Sequence, residues 1–289
     1  MTGDLRARVD EVLTAFLDER IRDAERLDPD ARPPAEEIAR LLAAGGKRIR
    51  PAFCYWGFRA AGGADHGGPD EPIVRAAAAL ELLHTMALVH DDLIDGAKER
   101  RGVPSTAAWF ERHAEEFRAR REPGAYGEAM ALLVGDLAAV FADHLFLDSG
   151  FAPDTLVRAL AIYHPMREAM AIGQYVALSR PATDAEGTEA IGRTAGLKGG
   201  AYSVEGPLRI GAALADGSAV VGACLSRFGR PLGEAFQLRD DLDDGDAAPG
   251  VTPGSVNDRV AVAIEALDPT LIAIETLPVL RGLANEVAM

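Results

Sequence analysis

Two short runs of aspartate carry the chemistry open to this sequence. Asp91-Asp92-Leu93-Ile94-Asp95 and Asp240-Asp241-Leu242-Asp243-Asp244 share the pattern Asp-Asp-x-x-Asp. On a helix, residues i and i+4 share a face and i+1 lies beside them, so each run gathers three carboxylates into a patch. Either run alone also reads as an exposed acidic helix end. Both, however, follow turns that are apolar on most sides, Met86 to Val89 before the first and Leu232 to Leu238 before the second. Carboxylates held there would cost several kcal/mol or take up protons unless cations paired with them. The pattern therefore predicts metal ligands at Asp91, Asp92, Asp95, Asp240, Asp241 and Asp244, on facing walls of one cavity and sharing metal ions. An all-carboxylate set suits hard cations, and magnesium keeps its waters and is bridged by substrate phosphates. The six histidines are scattered and form no His-Glu-x-x-His pair, which argues against zinc.

Basic residues gather in two places. Gly45-Gly46 and Pro51 bracket the turn Lys47-Arg48-Ile49-Arg50, and Arg100-Arg101-Gly102 follows the first aspartate run within two turns. Lysine and arginine both bind diphosphates, arginine through its bidentate fork. Either cluster alone reads as a solvated surface patch. In a chain of formal net charge −15, basic clusters beside acidic ones point to anionic substrate groups. The same charge argues against nucleic-acid partners, which need a general positive field. Cys54 and Cys224 have no second Cys or His at metal-ligand spacing and read as buried, reduced thiols.

The elements that must position these groups are helical. Alanine and leucine abound, while β-branched and aromatic runs are sparse. Leu5, Val9, Val12, Phe16 and Leu17 recur at helical spacing and mark a first helix. The segment 28–34 interrupts it, and a second helix is expected near Ala35. Residues 60–72, rich in Gly, Pro and Asp, read as a surface loop. From Ile73 to Ile94 the chain is nearly all apolar and reads as a central helix buried on most sides. A loop around Gly102-Val103-Pro104 follows, then helical patterns with breaks near Pro123, Gly150, Pro181 and Gly217. A second apolar helix is expected from Pro231 to Asp244, then a flexible stretch, and a last helix from Val256 onward.

No repeat, strand alternation or compositional break marks a boundary, so one all-α domain over 1–289 is expected. The first residues lack the basic-then-apolar order of a signal peptide, and no uninterrupted apolar run approaches the ~18 residues of a membrane span. A cytoplasmic location without a membrane span is the expectation.

Together these residues resemble the polyprenyl synthetase family, the trans-type isoprenyl diphosphate synthases. The likeness runs from GGKRIRP at 45–51 through ELLHTMALVHDDLIDGAKERRG at 81–102 to GEAFQLRDDLDD at 233–244. The resemblance implies a single large helical bundle of the isoprenoid synthase type with a central active-site cavity. It implies a magnesium-dependent prenyltransferase that condenses isopentenyl diphosphate with an allylic diphosphate, usually as a homodimer. Lys47, Arg50, His84 and Arg101 match positions that hold the diphosphate of isopentenyl diphosphate. The six aspartates match those that hold Mg2+ on the allylic diphosphate. Arg100, Lys198 and Gln237 match further allylic-site positions, and Gln174 a family glutamine. Asp91, Asp92, Lys198 and Asp240 are the catalytic candidates. In the family a bulky aromatic five residues before the first aspartate shortens the product. Met86, followed by Ala87, stands there instead and implies a product of about C15–C20 or longer.

Three departures accompany the likeness. Gly199 stands where the family has threonine after the lysine, and Ala177 where it has aspartate after Gln174. Residues 245–258 replace a Gly-Lys segment, and the part after 245 is shorter than the family's. Two other readings stay open: a non-catalytic partner subunit of such a synthase, and a class I terpene cyclase. Asn257, Ala261 and Glu265 have the spacing of a cyclase's second metal motif, but Ala261 lacks the ligating hydroxyl. The intact basic clusters favour a second diphosphate, which a cyclase does not need. No Walker, dinucleotide or GxSxG pattern supports nucleotide or hydrolase chemistry.

Overall fold

The computed structural model describes residues 3–68, 70–100, 102–179, 196–245, 247 and 250–288. The order is α1 Gly3–Leu27, α2 Pro33–Ala43, α3 Ile49–Ala60, α4 Pro72–Ile94, β1 Glu99–Arg100, β2 Val103–Pro104, α5 Thr106–Arg112, α6 Pro123–Leu147 and α7 Pro153–Ser179. A π-helix, Gly196–Glu205, leads into α8 Gly206–Leu214, α9 Ala219–Asp244, α10 Pro253–Glu265, a short 3-10 turn at Ile274–Thr276, and α11 Leu277–Ala288. The all-α expectation holds, with one small exception. The strand pair is an antiparallel hairpin in which Glu99 faces Pro104 and Arg100 faces Val103, and Gly102 supplies the positive φ its turn requires. A two-residue ladder is too short to leave alternation in the sequence, so the segment reads only as a loop.

Contacts divide the chain into two compact units. One comprises residues 3–48 and 74–149, and so α1, α2, nearly all of α4, the hairpin, α5 and α6. The periodic residues of α1, Leu5, Val9, Val12, Phe16 and Leu17, are all buried, and Phe16 meets Phe141 of α6 edge to face at 5.8 Å. Burial on α4 is nearly unbroken from Ile73 to Leu83, because small alanines at 76–79 let neighbours close on every side. Ser105 caps α5 by accepting from the Ala108 amide. By length and composition α4 and α6 each qualify as a membrane span, which a search for an uninterrupted apolar run does not register. The most apolar window of α4 is 72% buried within the protein, against 44% for α6.

The other unit holds residues 49–73 and 150–289. Its core gathers Phe53 of α3, Leu208 of α8, Leu225, Phe228 and Leu232 of α9, Val260 of α10 and Leu280 of α11. A Cβ at Gly57 would overlap the Leu208 carbonyl and one at Gly211 the Cys54 carbonyl, so α3 and α8 pack backbone against backbone.

Three expectations change in this unit. Arg50 and Pro51 lie in the first turn of α3, not in a loop. The second apolar helix begins at Ala219, capped by the Ser218 hydroxyl, and Pro231 sits inside it. Burial at Cys224, Phe228, Leu232, Ala235 and Leu238 keeps helical period across the proline, so packing offsets the one backbone bond that Pro231 removes. The segment after Val256 holds two helices rather than one, separated by residues 266–276.

Candidate active site

The turn before α3 sorts its three cations by what each touches. Arg48 adopts φ +50°, the left-handed region, and is buried. Its guanidinium donates to Glu81 Oε1 (2.9 Å), Asp10 Oδ1 (2.8 Å) and the Leu42 carbonyl (2.8 Å). Burial opposes the charge, but Glu81 and Asp10 outweigh it and raise the pKa above the ordinary arginine value. Arg48 is thus spent on structure: it ties the turn to α4 one turn before His84. Lys47 is exposed beside it.

Arg50 behaves differently. It is only 7% exposed, yet its Nη2 donates to the neutral Ser203 hydroxyl at 2.7 Å, and its guanidinium lies 4.3 Å from the centre of the Tyr202 ring. Its Nε is buried with no hydrogen-bond partner, and no described carboxylate pairs with it. Uncompensated burial of a guanidinium is costly, so this position favours an incoming anion.

The first aspartate run closes α4. Asp92 is 5% exposed and Asp91 half-buried, while Asp95 is exposed. The hairpin turns the chain back so that Arg100 Nε donates to Asp92 Oδ1 at 2.6 Å, with Nη2 3.6 Å from Asp91. Burial pushes the Asp92 carboxyl above the usual carboxylate range; Arg100 pulls the other way, and Asp91 and Asp95 add to the rise. Gly45, Arg48, Glu81, His84, Asp92 and Arg100 line one cleft of about 480 Å³, part of it open to solvent. His84, Asp92 and Arg100, chosen from sequence, therefore meet in one place. Met86 and Ala87 lie half-buried on the next turn of the same helix.

The second run closes α9, whose C-cap Gly245 takes the left-handed conformation. Asp240 and Asp241 are half-buried and Asp244 is exposed. Gln237 Nε2 donates to Asp241 Oδ1 at 2.8 Å along the same face. Gln174 is half-buried on α7, and Ala177 exposed. Lys198 falls on the π-helix, where its side chain lies outside the described residues, as does Arg101 altogether. Tyr202, Ser203 and Glu81 escape the sequence reading, because nothing in their local spacing announces a partner more than 30 positions away.

Among the described residues, no three His, Cys, Asp or Glu side chains converge enough to hold a metal unaided. The donor set nevertheless fits magnesium. Each run offers carboxylate oxygens only, and burial disfavours the charged form of Asp92, an effect that Arg100 offsets only in part. Magnesium characteristically takes one or two carboxylates and completes its shell with water and phosphate.

The all-helical chain thus carries two aspartate-tipped helices and, in Arg50, a buried guanidinium that no described carboxylate pairs with. The polyprenyl synthetase family model matches residues 33–255. The chain belongs to the polyprenyl synthetase family. It is 30% identical over 231 residues to a geranylfarnesyl diphosphate synthase of Aeropyrum pernix, covering 78% of this chain and 65% of the relative. It is 33% identical over 231 residues to a (2E,6E)-farnesyl diphosphate synthase of Mycobacterium bovis, covering 76% and 56%. The matches thus span less than two thirds of these relatives' lengths. Geranylgeranyl pyrophosphate synthase of Corynebacterium glutamicum, solved with isoprenyl diphosphate and magnesium, superposes with a TM-score of 0.88 at 25% identity over 100% of this chain and 99% of that one.

Proposed function

We propose that this chain is a magnesium-dependent prenyltransferase that joins isopentenyl diphosphate to an allylic diphosphate and releases diphosphate. The observation that carries the reading is Arg50, a buried guanidinium set among neutral groups while its neighbour Arg48 is saturated by carboxylates. Such a division supports a role for Arg50 toward an external anion, and on the family resemblance Lys47, Arg50, His84 and Arg101 would hold the diphosphate of isopentenyl diphosphate. Asp91, Asp92, Asp95, Asp240, Asp241 and Asp244 would hold Mg2+ on the allylic diphosphate, aided by Arg100, Lys198, Gln174 and Gln237. Bound there, the metal supplies charge stabilisation to the departing diphosphate.

In the reaction the allylic C–O bond breaks, the double bond of isopentenyl diphosphate attacks the allylic carbon, and a proton then leaves the new chain. The cations bind and orient both diphosphates. The apolar face of α4 before Asp91 excludes water from the allylic cation. With Met86 and Ala87 in place of a bulky aromatic, the product is about C15–C20 or longer.

The same reading makes the chain a cytoplasmic homodimer. Leu133, Val140 and Leu147 are 55%, 59% and 53% exposed at heptad spacing on α6, a seam suited to a second copy. Leu133→Glu with Val140→Glu should convert a dimer to a monomer in analytical ultracentrifugation.

The decisive test incubates the purified chain with Mg2+, isopentenyl diphosphate and allylic primers of increasing length, with products identified by mass. Elongated diphosphates that vanish with chelator support the reading. No elongation from any primer overturns it, and cyclised hydrocarbons would identify a cyclase instead.

A further inference from the structure

Gly199 and Gln237 are coupled by shape. Gly199 is buried on the π-helix, and a Cβ built there would overlap Gln237 Oε1 and lie 2.8 Å from its Cδ. The carboxamide thus fills the volume that any other residue at 199 would claim. The π-helix cannot retreat to make room. A Cβ on the next residue, Gly200, would meet the Gly233 carbonyl carbon at 2.7 Å and its oxygen at 2.8 Å, so the two backbones touch one turn before Gln237. From this seat Gln237 Nε2 reaches Asp241 Oδ1 at 2.8 Å. The amide must present its nitrogen, because a carboxylate only accepts.

We propose that Gln237 is a positioning residue for Asp241, and that Gly199 is the steric determinant that lets it act. The inference rests on reading Asp241 as a metal ligand and deepens it. It assigns Gln237 to the carboxylate rather than to the diphosphate, and it gives Gly199 a function in place of a missing side chain. The amide donates to Asp241 and so fixes the direction of its carboxylate, and being neutral it adds no charge of its own. Outer partners of this kind set the orientation of metal ligands. An extra residue in the helical turn, as in a π-helix, recurs at functional sites for the same reason: it re-aims the backbone locally.

The test measures Mn2+ binding by electron paramagnetic resonance in the presence of inorganic diphosphate, beside steady-state kinetics, for Asp241→Asn, Gln237→Leu, Gly199→Ala, Gln237→Ala and the double variant Gly199→Ala/Gln237→Ala. Gln237→Leu and Gly199→Ala should each weaken Mn2+ binding by about tenfold, with the KM for isopentenyl diphosphate unchanged. The double variant should relieve the clash and match Gln237→Ala, because both substitutions remove one and the same interaction. If Gly199→Ala fails to fold, Gln237→Leu adds no bulk at 199 and decides alone. Mn2+ affinity within about twofold of the parent in Gln237→Leu, with Asp241→Asn impaired, overturns the inference and leaves the metal reading standing. Asp241→Asn without effect overturns both. A double variant weaker than the two single effects combined also overturns it, since the residues would then act separately.

Discussion

The ends of α4 and α9 carry the same five-residue pattern and stabilise it in different ways. At the end of α4, Asp92 is buried and bonded at 2.6 Å to Arg100, a cation that the hairpin returns to it. At the end of α9, Asp241 is half-buried and receives a neutral amide from Gln237. The first patch therefore holds an internal counter-ion, whereas at the second an amide orients one carboxylate. Identical spacing of carboxylates does not give them identical surroundings, and the neighbours of a carboxylate set how strongly it would draw a cation.

The comparison can be broken most directly at the ligands. Asp91→Ala and Asp240→Ala should each lower turnover by roughly a thousandfold, equivalent to about 4 kcal/mol of lost charge stabilisation. If one of them keeps near-parental turnover in the same assay, the two ends do not share a function. Next in size is the anchor beneath the first cleft. Arg48→Met leaves Glu81 buried without its cation, and should cost about 3–5 kcal/mol in urea denaturation. An unchanged midpoint would show that the turn is held by something else.

The sharpest contrast pairs the two neighbours. Arg100→Gln frees Asp92 from its counter-ion and should strengthen Mn2+ binding without diphosphate by about three- to fivefold, while Gln237→Leu weakens it. Effects of the same sign would erase the proposed difference. The smallest effect concerns stability of the metal-free protein. The Asp92 carboxyl titrates above its ordinary value of 3.8, so folding binds a proton there that the unfolded chain has already released. Stability from this group is present below 3.8 and falls as pH rises through the raised value. Asp92→Asn removes that fall, and its melting temperature should decline less than the parent's between acid and neutral pH.

Much of the fold was legible because helices write their periodicity into the chain. Leu5 to Leu17 on α1 and the apolar span of α4 follow directly from side-chain spacing, and burial agrees with both. The aspartate runs were legible for the same reason, as i, i+1 and i+4 are neighbours on any helix. Pro231 misled because it is both a common first residue of a helix and, where packing suffices, an interior one.

What the sequence by itself determined is local. It contains an all-helical chain, two carboxylate patches at helix ends, two basic clusters, and motif spacing sufficient for family membership. Only the tertiary structure decided which cation does what. Lys47, Arg48 and Arg50 are near neighbours in the chain, yet one is exposed, one is consumed by Glu81 and Asp10, and one is buried against Ser203 and Tyr202. It likewise placed the Gln237 carboxamide where a Cβ at position 199 would lie. The reason is physical: backbone periodicity places near neighbours, but a long side chain finds its partner only after packing has brought distant segments within hydrogen-bond reach.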